Sequence, residues 1–62
     1  MKFEVGNVVK HINSKGIVIL QRAQHITIFW FILNGRRNEP KCYHYNVLTN
    51  AHILEGVKVV SS

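Results

Sequence analysis

The run Ile26-Thr27-Ile28-Phe29-Trp30-Phe31-Ile32-Leu33, closed by Asn34-Gly35, is the strongest structural signal in the chain. β-Branched and aromatic residues fill all but one of its positions, the composition that favours a pleated strand. Asn-Gly accepts positive φ at both central positions of a tight hairpin turn. The run is far short of the roughly 20 apolar residues that span a bilayer as a helix. Strand alternation puts Ile26, Ile28, Trp30 and Ile32 on one face and Thr27, Phe29, Phe31 and Leu33 on the other. One face fills a core, and the second needs a cover of its own.

Outward from this strand the pattern repeats. Upstream, Arg22-Ala23-Gln24-His25 reads as a turn, Ile17 to Gln21 as a strand, Asn13-Ser14-Lys15-Gly16 as a compact turn with Gly16 free to take positive φ, and Val8 to Ile12 as the first strand. Downstream, a loop runs from Arg36 to Pro40, followed by a strand from Lys41 to Tyr45. Asn46 to Leu54 holds a short helical turn, capped by Asn46 or Thr49, with Val47, Leu48 and Ile53 turned to the core. Val57 to Val60, entered through Gly56, is the last strand. Five short strands in 62 residues predict an all-β fold and one domain over 1–62, a small five-stranded barrel with a short helical turn before the last strand. Closure would remove two exposed edges. A longer helix over Asn46 to Leu54 would make the chain α+β instead.

The charge is one-sided. Eight Lys and Arg stand against three carboxylates, all Glu, for a formal net charge of +5 and a pI of about 9.9. Such a balance on a small surface suits a polyanion. Apolar residues make up 47% of the chain, too many for a disordered tail. The single cysteine, Cys42, rules out an internal disulfide, and with no leader-like start the expected location is cytoplasmic.

Phe3-x-Val5-Gly6-Asn7-x-Val9, Lys15-Gly16-Ile17-Val18, Ile28-Phe29-Trp30 and Tyr43-His44-Tyr45-Asn46-Val47-Leu48 together resemble SH3-like barrels of the KOW type, as in NusG- and MotB-type domains of small phage or bacterial proteins. Asn7 stands where that pattern has Asp, and the basic Gly-Lys-x-Gly turn is reduced to Ser14-Lys15-Gly16. The resemblance implies the barrel fold and a binding role in transcription or translation. It does not select among RNA, DNA and protein partners.

The side chains favour binding over catalysis. Glu4, Glu39 and Glu55 lie in separate regions, and no Ser sits in a nucleophile elbow. Cys42 and His44, two apart on a strand, lie about 6.5–7 Å apart along it, too far for a ready thiol–imidazole pair. The four His and Cys42 lack zinc spacing, so no catalytic residue, metal or cofactor is expected. Lys10, Lys15, Arg22, Arg36, Arg37 and Lys41 are the expected phosphate contacts, with Tyr43 and Tyr45 as base-stacking rings. Ile17, Ile19, Phe29 and Phe31 are the surplus apolar residues and the expected protein interface. The expected partner is therefore nucleic acid, DNA or RNA, with docking to a larger protein or homodimer formation as the alternative. No membrane and no small-molecule substrate is expected.

Overall fold

The computed structural model describes residues 3–61 and shows one antiparallel sheet of five strands: β1 Val8–His11, β2 Ser14–Gln21, β3 His25–Ile32, β4 Lys41–Asn46 and β5 Lys58–Ser61, with α1 Ala51–Leu54 between the last two. The order across the sheet is β4-β3-β2-β1-β5. The first four strands follow one another as a meander, and β5 returns beside β1. The all-β class and the short helix before the last strand match expectation. The closed barrel does not. β4 and β5 are the two outer strands and do not pair. Closure is unnecessary for burial here, because Phe3, Leu54 and Val57 cover one face and join Val9, Val18, Ile26, Ile28 and Trp30 in a single core. The two edges are kept safe by other means: β5 is only four residues long, and both outer strands begin with lysine.

Local chemistry explains the turns. Asn34 and Gly35 have φ of 53° and 81°, and Leu33 and Arg36 exchange both backbone hydrogen bonds, so this is the tight hairpin that the dipeptide predicts. At the entry, Gly6 takes φ 96°, and the buried Asn7 accepts the Glu4 N–H through Oδ1 at 2.8 Å. Asn46 Oδ1 accepts the N–H groups of Leu48 and Thr49, an Asx turn that lifts the chain off β4. The α1 N-cap itself is Asn50, with no side-chain capping bond, so neither Asn46 nor Thr49 caps that helix.

The turn expected at Asn13-Ser14-Lys15-Gly16 is corrected. β2 begins at Ser14, and Gly16 lies inside the strand. A Cβ there would sit 2.6 Å from the Phe29 carbonyl oxygen and 2.9 Å from both Ile28 Cγ2 and Trp30 Cε3. Gly16 is needed for close approach of β3 and its indole, and positive φ falls instead on Ile12, at 53°.

Candidate functional site

Strand register separates the chain's polar and aromatic side chains into three places. On the face away from α1, Lys58 of β5 pairs with Lys10 of β1, and Lys10 pairs with Lys15 of β2. Three like charges therefore stand in one row across three adjacent strands. Directly opposed like charges destabilise a sheet, and among the described residues the one ion pair is Arg36–Glu39, 3.7 Å apart in the exposed β3–β4 loop. Among the described residues no lysine of this row forms an ion pair. Lys10 and Lys15 were expected here; Lys58 was missed, because its place beside Lys10 depends on β5 returning antiparallel to β1.

The antiparallel order also collects charge at one end of the sheet. That end holds the close of β1, the start of β2, the β3–β4 loop and the starts of β4 and β5. The loop is tied to the β1–β2 turn by the Gly35 N–H donating to the Asn13 carbonyl at 2.8 Å and the Asn34 N–H donating to Ser14 Oγ at 3.1 Å. Lys10, Lys15, Arg36, Arg37, Lys41 and Lys58 thus share one pole of the molecule, with Glu39 and Glu55 as its carboxylates. Arg22 does not join them. It lies at the opposite end, in the β2–β3 turn, beside a hollow of about 280 Å³ that Phe3, Ile26, Val47 and Ala51 also line.

On the α1 side, Lys41, Tyr43 and Tyr45 alternate along β4 opposite Trp30, Ile28 and Ile26. Trp30 is buried, and its Nε1–H donates to Tyr45 Oη at 2.9 Å. Tyr43 meets Tyr45 edge to face, with ring centroids 6.2 Å apart and planes at 68°, and stays 40% exposed. Burial raises the Tyr45 phenol above its ordinary pKa; the Trp30 hydrogen bond opposes this and neighbouring Tyr43 adds to it. These rings border a hollow of about 370 Å³ between β4, the β3–β4 hairpin and α1. The expected cluster of Lys41, Tyr43 and Tyr45 is thus assembled on one strand face, whereas Lys10 and Lys15 project from the other side of the sheet.

The third place is the apolar row Val8–Ile17–Phe29–Cys42, in register over four strands on the lysine side. Ile17 and Phe29 are directly opposed and half-buried. Ile19 and Phe31 each fall at a register shift, so they flank this row without extending it. Leu20, opposite Thr27, was not anticipated as part of the face. The β3–β4 loop residues from Asn34 to Pro40 are exposed, and Leu54 packs into the core on the other side of the sheet. Thr27 is 3% exposed and shares a hydrogen bond of 2.7 Å with His44 Nδ1.

Among the described residues no three His, Cys, Asp or Glu gather as metal ligands would, and no helix is long and apolar enough to cross a membrane. Comparison of the chain with protein-family models, with curated proteins and with solved structures finds no match.

Proposed function

We propose that the protein is a non-enzymatic nucleic-acid-binding module, acting in transcription or translation and engaging phosphates through the basic pole. The observation that carries this reading is the row Lys58–Lys10–Lys15. A fold that aligns three ammonium groups, none of them ion-paired among the described residues, bears a repulsion that a bound polyanion relieves. Arg36, Arg37 and Lys41 extend the same pole beyond the row. Phosphate contacts of this kind position a nucleic acid without reading its sequence.

The test is an anisotropy titration with generic duplex DNA and single-stranded RNA at several salt concentrations. Each neutralised phosphate contributes about −0.9 to the slope of log K against log salt for duplex and about −0.7 for single strands. The combined variant Lys10→Gln, Lys15→Gln, Lys58→Gln is expected to flatten the slope by about two to three on duplex. An unchanged slope in the triple variant would remove the row from the binding surface.

A second reading, a protein-interaction module or homodimer, is supported by the Val8–Ile17–Phe29 row with Ile19 and Leu20 beside it. It predicts association that does not weaken with salt and is lost in Ile19→Glu. A chain that sediments as a monomer and captures no partner through this face would end that reading.

A further inference from the structure

We infer that the hollow beside Trp30, Tyr43 and Tyr45 receives an unstacked nucleobase, so that the preferred ligand is single-stranded nucleic acid. This rests on the nucleic-acid reading above and adds to it the strandedness of the ligand.

The hollow sets three aromatic rings beside polar side chains that include His11 and His44. Trp30 lies at its base, 3% exposed and pinned by its hydrogen bond to the Tyr45 hydroxyl. That bond gives the Tyr45 hydroxyl a structural task. Tyr43 has none of this kind: it sits on an outer strand, 40% exposed, with its ring held edge to face against Tyr45. Leu33 and Ile53 supply further apolar walls, and Asn50 puts polar atoms at the rim. A volume of about 370 Å³ falls near the lower end of the roughly 300–1,000 Å³ typical of small-ligand sites.

Charge decides among planar or apolar occupants. An aromatic cage of this sort also suits a quaternary ammonium, but Lys41 shares the Tyr43 face of β4, and Arg36 and Arg37 follow in the adjoining hairpin loop. A cation meets repulsion there, whereas a nucleotide satisfies both halves of the site. Lys41 and Tyr43 are two residues apart on one strand face, about 6.5–7 Å along the chain, so phosphate and base of one nucleotide can be met together. A duplex keeps its bases stacked inward and offers no free ring face to Tyr43. A single strand does, and stacking of this kind tolerates any base.

The experiment compares a labelled oligothymidylate with a hairpin duplex of equal charge, at one low salt concentration, for the unmodified chain and for Tyr43→Ala, Tyr43→Phe and Lys41→Gln. Trp30 fluorescence is followed in the same titrations. The single strand is expected to bind more tightly and to quench Trp30. Tyr43→Ala should weaken single-strand binding by roughly 5- to 150-fold and leave duplex binding within about twofold. Tyr43→Phe should retain binding, since it keeps the ring, and Lys41→Gln should weaken it. Thermal melts of each variant confirm folding; Tyr43 is on an outer strand and outside the buried core. Salt-sensitive binding indifferent to Tyr43 would overturn the hollow while leaving the basic pole in place. Absence of binding to either nucleic acid at low salt would overturn both.

Discussion

Replacing Lys10 with Gln is expected to make the fold more stable and its binding weaker, a combination that a merely structural lysine does not produce. Lys10 is the middle member of the row and faces Lys15 on one side and Lys58 on the other. Two unit charges about 7 Å apart in water repel by roughly 0.6 kcal/mol. Two such neighbours give about 1.2 kcal/mol at low ionic strength, cut by more than half at physiological salt, where the screening length is about 8 Å. All three ammonium groups are exposed, so the screened value is the relevant one near 0.15 M salt. In a domain of this size about 1 kcal/mol corresponds to a Tm change of roughly 4–8 °C. Lys10→Gln should therefore melt several degrees higher than the parent chain in dilute buffer, and the gap should shrink towards zero in 1 M salt. Lys10→Arg, which keeps the charge, should not show the gain. In parallel, the salt slope of nucleic-acid binding should fall by about one. Lower stability of Lys10→Gln at low salt, or a gain that persists undiminished in 1 M salt, would refute the argument from like-charge opposition.

Three further outcomes follow from packing. Gly16→Ala places a methyl group 2.6 Å from a backbone oxygen, and urea denaturation should register a loss of about 1–3 kcal/mol. Ile12→Asn should raise stability by up to about 1 kcal/mol, because a β-branched, 75% exposed residue at φ 53° gives way to one that tolerates that conformation; no gain in the melting curve would mean that Ile12 is held there by favourable contacts. Tyr45→Phe leaves the buried Trp30 N–H without its acceptor and should cost about 1–3 kcal/mol. The same residue governs alkaline behaviour. Its phenol is raised in the folded state above the ordinary value of 10.0, so the unfolded chain loses that proton first. Its contribution is complete below the ordinary value and is lost as pH climbs towards the higher folded value. Stability measured through that range should decline less in Tyr45→Phe than in the parent.

How far the residues announced the structure depends on whether a signal is local. Asn34-Gly35 was legible because the turn's stereochemistry resides in those two residues. The strand Ile26–Leu33 was legible from composition, and it is observed as His25–Ile32. Gly16 was misread as a turn glycine, since a glycine needed for positive φ and one needed for close approach look alike until the neighbouring strand is in place. The barrel failed for a similar reason: closure depends on whether two outer strands meet, and here Leu54 and Val57 cover the core first. Of the proposed binding residues, Lys41, Tyr43 and Tyr45 share a strand face through period-two alternation along β4. Lys58 was not legible in the sequence, because three chain-distant lysines align only once β5 takes its register against β1.

Gly16 also bears on how the chain finds its pairing. A slip of β2 by one residue against β3 would carry Lys15 or Ile17 beneath the Trp30 ring, where no side chain fits. It would also turn β2's alternating residues to the wrong faces. The single position without a side chain therefore works as an alignment key. Only one offset of the two longest strands lets the indole lie against Gly16, and that offset sets Ile17 beside Phe29 and Val18 beside Ile28. Misaligned pairings of β2 with β3 are rejected by a steric fit to the backbone that involves no residue of β5.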